Sequence, residues 1–250
     1  MFDVLLPLSH LLEAHPNARV CYPLQDLSSP FAAILTMLYH ERVRIAEDVP
    51  RRAFPIAGWN PLFYPRSAAD WAAFRKHVFE RTSVQRPERV EDVVLINRLN
   101  PGMGAEITKA GAARRSIRNQ AELSRVLGEA IRSPYRLVDA HPERLSFRDQ
   151  VRLFAGAAAV IGQHGAGLGH VVWMPSTSLV AEIGYGNRNH FVSISRQVGI
   201  EHFLYGPTSE RHIDLDVAAF CNWLECETPF HRFFQFDTRR TQGARSQSPA

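Results

Sequence analysis

The sequence predicts an α/β fold with a parallel sheet in its second half. Three observations carry the prediction. From residue 93 onward, strand-length apolar runs alternate with amphipathic helical patterns, the signature of βαβ units. The run VVLIN at 93–97 is continuously apolar, as in a parallel strand buried on both faces. Residues 155–183 then read as strand, tight glycine turn, helix start and second buried strand.

The first half alternates helix and strand on a smaller scale. Residues 5–14 form an amphipathic helix pattern with Leu5, Leu8, Leu11 and Leu12 on one face, and Pro7 fits its first turn. Residues 18–22 (ARVCY) predict a strand. Ser29-Pro30 is a cap followed by an N1 proline, and Phe31, Ile34, Leu35 and Leu38 follow at helical spacing. Residues 42–45 (RVRI) predict another strand. The proline- and aromatic-rich 50–66 reads as an irregular loop. Ser67 is placed to cap a helix bearing Trp71, Phe74 and Val78, and the polar 82–92 reads as a linker.

In the second half, 99–113 reads as a mobile glycine- and alanine-rich loop. Asn119 is placed to cap a helix carrying Leu123, Val126, Leu127, Ala130 and Ile131, and YRLVDA at 135–140 predicts a strand. Ser146 caps a helix with Phe147, Val151 and Phe154 in register. Beyond the central stretch, a helix over 190–198, a strand at 201–205 (EHFLY) and a helix over 214–226 are expected. The tail from Thr238 is polar and predicted to be disordered. The organisation expected is an α/β domain over 1–88, a Rossmann-like domain over 89–212, a terminal helix and extension over 213–237, and a tail over 238–250.

Composition bounds the function. The 250 residues are 45% hydrophobic and 22% charged, with a net charge of +4 and a pI of about 9.2. That is ordinary for a globular chain with a sizeable core. The basic surplus is nearly all arginine, since Lys76 and Lys109 are the only lysines. It suits anionic ligands, but there is no block of like charge to act as a nucleic-acid arm. Cys21, Cys221 and Cys226 match neither a disulfide framework nor a common zinc spacing. No apolar run reaches transmembrane length, and the first residues lack the features of a signal peptide. The chain as given reads as soluble.

The central stretch carries the chemistry. Gly162, Gly165, Gly167 and Gly169 fall within eight residues, with His164 and Ala166 among them. Small residues let a ligand approach the backbone, and the amides of a following helix start would favour an anion, most naturally a phosphate. The plain alternative is a turn that only joins strand to helix. Arg98 directly follows VVLIN, at a strand's carboxyl end where ligands collect. Glu182 lies near the carboxyl end of the strand at 177–183. It is read either as a ligand acceptor at a strand end or as an exposed strand-end carboxylate. His164 is read as a donor or acid toward that anion, or as a structural hydrogen-bond donor. Asp214-Leu215-Asp216 spells the D-x-D of metal-dependent glycosyl transfer, but it opens an amphipathic helix, where capping accounts for it.

The wording HGAGL at 164–168, followed by an apolar helix start, Met174-Pro175 and LVAEI at 179–183, resembles the signature of glycosyltransferase family 61. The resemblance covers about residues 90–206. RRSIRNQ at 114–120 likewise resembles that family's arginine, three residues, asparagine pattern, which falls here on Arg115 and Asn119. The resemblance implies a GT-B-like fold of two Rossmann-like domains, the first one shortened and on the acceptor side. It implies an inverting transfer of a sugar from a nucleotide donor, a UDP-sugar foremost, to a glycan or protein hydroxyl. Donor binding would fall to Arg98, Arg115, Asn119, His164, Gly165, Ala166, Gly167, Leu168 and Glu182, with His164 as donor or acid toward the leaving diphosphate and Glu182 as acceptor for ribose hydroxyls. Arginine forks would neutralise the diphosphate without a metal, and no cofactor is expected. Outside the resemblance, these arginines read equally as solvent-facing. His170 and Gly169 stand where asparagine and threonine are expected.

The general base would come from the first domain. FDVLLPL resembles the end of a family motif and nominates Asp3, with His10, Asp26 and Asp48 as fallbacks. Eukaryotic members usually carry a membrane anchor, which implies that this chain is a bacterial or viral soluble form or a fragment. Two other readings are a non-catalytic nucleotide-binding relative and a basic RNA-binding α/β module. The RNA reading predicts salt-dependent polynucleotide affinity, and no RNA-binding motif supports it.

Overall fold

The computed structural model describes residues 2–17, 19–23, 29–46, 67–98, 115–184, 190–206, 208 and 210–236. The loops expected at 50–66 and 99–113 and the tail at 238–250 lie outside the described residues, as do Asp26 and Asp48. The chain forms two compact units, 1–85 and 86–250. Among the described residues, no helix is long and apolar enough to cross a membrane.

In the first unit, helix α1 (Phe2–Ala14) presents Leu5, Leu8 and Leu12 to a core. It begins three residues earlier than expected, so Pro7 stands in its second turn and withholds one backbone donor. Strand β1 (Val20–Pro23), helix α2 (Ser29–Tyr39) and strand β2 (Val43–Ala46) make a βαβ unit, with the two strands parallel. Helix α3 (Ala68–Thr82) opens with a full capping box. Ser67 Oγ accepts from the Asp70 amide, and Asp70 accepts from the Ser67 amide. Trp71, Phe74 and Val78 on α3 are buried, as are Leu35 and Leu38 on α2. Both α1 and α2 pack on α3.

The second unit is a Rossmann-like layer. Its sheet comprises β3 (Asp92–Ile96), β5 (Arg136–Ala140), β6 (Ala157–Gln163), β7 (Leu179–Ile183) and β8 (Glu201–Tyr205). All pairings are parallel, in the order β5-β3-β6-β7-β8. The chain leaves β3 outward to β5, then returns across the sheet to β6. The strand order therefore reverses between β3 and β6, and their adjacent carboxyl ends form a topological switch point.

Helices α4 (Gln120–Ala130) and α7 (Val217–Cys226) cover one face. There Leu123, Leu127, Phe220, Cys221 and Leu224 join Val93, Leu95, Ile161 and Ala181 in one core. The terminal helix thus belongs to the core of the second unit. Burial drives the Cys221 thiol up to about 12, as fits an inert packed side chain. Helices α5 (Phe147–Ala155) and α6 (His190–Gln197) pack against the segment 166–173.

That segment refines one expectation. The helix that starts after Gly165 is a 3-10 helix, Ala166–Trp173. Its apolar side chains are buried almost throughout, so it runs as core packing. A second feature has no periodicity in the sequence. Two-residue strands β4 (Ser116–Ile117) and β9 (His212–Ile213) pair in parallel as a separate ladder.

Candidate functional site

The switch point assembles the site from strand ends. Arg98 stands two residues beyond β3, and His164 and Gly165 directly follow β6. The Arg98 guanidinium lies across Gly165 so closely that a Cβ there would stand 1.9 Å from Nη1. Gly162 and Gly167 both face Ile96, where a Cβ would come within 3.1 and 3.3 Å. These glycines are required by close packing.

Arg115 reaches the same turn from the β4 side. Its Nη1 donates to the His164 carbonyl at 2.9 Å. The β4–β9 ladder fixes this approach, with the Arg118 amide bonded to the Ile213 carbonyl at 2.8 Å. Gln163 Nε2 donates to the Arg211 carbonyl at 2.9 Å, tying the ladder to the end of β6.

Several expectations change in detail. The Leu168 amide is spent on the Gly165 carbonyl at 2.9 Å and its side chain is fully buried, so Leu168 is packing. The amides of Ala166 and Gly167, first in the 3-10 turn, have no acceptor within it. Asn119 does occupy the N-cap position of α4, but its side chain makes no cap bond. Instead its amide donates to the Leu215 carbonyl at 2.8 Å and its oxygen accepts from the Leu215 amide at 3.0 Å. Asn119 is therefore a backbone staple. Asp216 caps α7 by accepting from the Ala219 amide at 2.9 Å, and Asp214 pairs with Arg118 at 2.8 Å. Asp216 is thus engaged with its own helix, as capping predicts, and Asp214 with the distant Arg118.

Glu182 is not exposed. At 1% accessibility it receives two histidines, His164 through Nδ1 on Oε1 and His202 through Nε2 on Oε2 at 2.7 Å. Ser195 Oγ in turn lies 2.8 Å from His202 Nδ1. Burial pushes the carboxyl upward, but the hydrogen bonds from His164 and His202 outweigh it and hold Glu182 below its ordinary value. A carboxylate so placed orients His164 from beneath, and this setting does not suit a direct ribose contact. The His164 ring also meets Phe191 edge-on, with centroids 5.2 Å apart.

His170 lies in the core. Its ring stacks on Phe154 with centroids 5.0 Å apart, and Trp173 Nε1 donates to its Nδ1 at 3.2 Å. Burial drives it down to about 4, so it stays neutral. In the first unit, His10 lies 3.5 Å from Asp70, and the Asp3 side chain is outside the described set.

Beside Arg98 an open cavity of about 710 Å³ runs along α4, lined by Asn97, Gln120, Ser124, Asp139 and His141 among others. Among the described residues no group of three His, Cys, Asp or Glu is placed to hold a metal ion. Sequence reading missed His202 and Ser195. The available signal was a polar residue inside the strand pattern EHFLY, whose alternation puts His202 on the Glu182 face.

Comparison with known proteins points one way. The sequence model of the family described as Glycosyltransferase 61 matches residues 7–181. The EGF domain-specific O-linked N-acetylglucosamine transferase of Bos taurus is 30% identical over 92 residues, 36% of this chain and 18% of that protein. The Mus musculus protein of the same name is 27% identical over 139 residues, 55% of this chain and 25% of that protein. The Gallus gallus protein is 25% identical over 134 residues, 53% of this chain and 23% of that protein. The aligned part of the chain thus spans a quarter or less of these relatives' length.

Proposed function

Because the chain belongs to glycosyltransferase family 61, we propose that its second unit binds the diphosphate of a nucleotide-sugar donor and that the sugar passes to a protein or glycan hydroxyl. One observation supports this above others. Arg98 and Arg115 reach the same glycine turn at the switch point, one across Gly165 and one on the His164 carbonyl. Two guanidinium groups there can neutralise a diphosphate with planar, paired donors. The Ala166 and Gly167 amides add backbone donors, and His164, oriented by Glu182, faces the same anion. Asn119 and Leu168 shape the site from behind.

The donor proposed is a UDP-sugar. The relatives' name, which specifies N-acetylglucosamine, makes UDP-N-acetylglucosamine the first compound to test. The two units are proposed to form a GT-B-like pair, with acceptor binding and the general base, assigned to Asp3, in the first. The acceptor oxygen attacks the anomeric carbon from the face opposite the diphosphate. The new glycosidic bond forms as the bond to the leaving oxygen breaks, with inversion. The acceptor proton goes to the base, and the nucleoside diphosphate leaves with its charge held by the arginines, without a metal. Positioning and charge stabilisation supply most of the acceleration.

The test is a melting panel of nucleotides and nucleotide sugars, with EDTA and with manganese. A ligand of the native state raises the melting temperature with concentration. UDP and a UDP-sugar are expected to do so equally in EDTA. A panel in which no nucleotide shifts the melt overturns the reading, and a shift seen only with manganese overturns metal independence.

A further inference from the structure

The buried chain behind the turn has a definite direction. The two oxygens of Glu182 face one nitrogen each of His164 and His202. An ionised carboxylate accepts only, so both facing nitrogens must carry their protons. His164 is thereby held with its proton on Nδ1, and Nε2 becomes the nitrogen turned away from Glu182. His202 carries its proton on Nε2, which leaves Nδ1 as an acceptor. Ser195 Oγ, 2.8 Å away, then donates its hydroxyl proton to His202 Nδ1. Ser195 and Glu182 are buried to within 1%, and the His202 side chain to 2%. Water therefore cannot easily stand in for any of these bonds.

We propose that His202 and Ser195 are positioning residues for the donor site, acting through Glu182 to lock the His164 ring in one tautomer and one orientation. The proposal rests on the nucleotide-sugar reading and deepens it. Glu182 alone could turn about its last side-chain bond, swinging Oε1 off His164. The second histidine pins Oε2, and Ser195 pins the second histidine. The chain links three elements: α6 supplies Ser195, β8 supplies His202 and β7 supplies Glu182. The ligand-facing histidine follows β6, so four elements of the layer, β6, β7, α6 and β8, set one ring. The same logic is common at metal sites, where the partner on one imidazole nitrogen fixes what the other can do. Here the ligand is a phosphate oxygen: the Nδ1–H ring leaves a lone pair at Nε2, which takes up a proton from solvent as the anion binds, and the Nε2–H so formed donates to that oxygen.

The experiment is nitrogen-15 spectroscopy of the histidine rings in the full chain at about pH 8, where exposed imidazoles are neutral. Resonances are assigned by their loss in H164Q and H202Q. The expected result is an Nδ1–H ring for His164 and an Nε2–H ring for His202. Averaged tautomers, or an Nε2–H His164, overturn the proposal, and this reading is taken on the unaltered protein, the variants serving only to assign it. H202L removes the donor to Glu182, whereas H202Q keeps an amide N–H at nearly the same place. H202L is expected to average the His164 tautomers and weaken UDP binding about tenfold, the scale of one charge-assisted hydrogen bond. H202Q is expected to restore most of both. An H202L protein with an unchanged His164 ring and unchanged UDP affinity overturns the positioning role. Locked rings in a protein that binds no nucleotide overturn the nucleotide-sugar reading instead, so the two failures are distinguishable.

Discussion

Arg98 lies across the backbone of Gly165, with room for a hydrogen there and not for a methyl group. The atom in the way is the far end of a flexible side chain, so a methyl group would displace the guanidinium and leave the sheet in place. Gly165→Ala is therefore expected to cost less than about 1 kcal/mol of stability while lowering UDP affinity about 10- to 100-fold. Calorimetric titration beside urea unfolding checks both halves. Equal losses in the two would mean that the glycine serves packing alone.

Arg115→Ala removes the donor on the His164 carbonyl. Affinity for a nucleotide diphosphate should fall at least tenfold, and unfolding free energy by no more than about 1.5 kcal/mol. Arg115→Lys should recover little, because a point charge lacks the fork. A stable Arg115→Ala protein with unaltered affinity would remove Arg115 from the donor site.

His170 predicts an acid limb of stability. Its folded value is about 4, pushed down by burial from an ordinary 6.5. Between those two values the unfolded chain binds the proton and the folded chain does not, so stability rises with pH across the window. His170 contributes fully above about pH 6.5 and loses its contribution as pH falls toward 4. The loss amounts to about 3 kcal/mol at the low end. Urea midpoints from pH 7 to 4 should show this slope, and His170→Asn should flatten it. A variant with the same slope would assign the acid limb elsewhere.

Asp216→Ala tests the D-x-D reading directly. Loss of the cap on α7 should cost about 1 kcal/mol. UDP affinity should stay within twofold with or without manganese, because the carboxylate is engaged with its own helix. Asp214→Ala, which breaks only the exposed pair with Arg118, should change stability by less than about 1 kcal/mol. A manganese-dependent loss of binding in either variant would restore the metal reading.

The main elements were legible because their signals are local. VVLIN and LVAEI are apolar runs that a buried parallel strand requires, and Ser67, Ser146 and Asp216 announce helix starts by residue type. The glycine turn was legible as a place, and its partner Arg98 as a strand-end residue. What was illegible depends on long-range closure. EHFLY marks His202 as a polar residue inside a strand, but that it meets Glu182 depends on the order of β7 and β8. Asn119 read as a ligand residue because its spacing to Arg115 is the same whether it binds a donor or staples Leu215. The helix start after Gly165 was legible, but its apolar pattern fits an α-helix and a 3-10 helix alike, and the structure has the tighter one.

The β4–β9 ladder has a consequence in time. Two residue pairs close a loop of nearly a hundred residues, and such a short ladder opens at a lower free energy than the five-stranded sheet beside it. Arg98, His164 and Glu182 ride on that sheet and are present whenever the unit is folded. Arg115 rides on the ladder. Amide exchange should therefore find the Arg118 proton, bonded to the Ile213 carbonyl, exchanging well before the protons of β6. The second guanidinium is thus the contributor whose arrival has a rate of its own, and nucleotide should slow that exchange by holding the ladder shut.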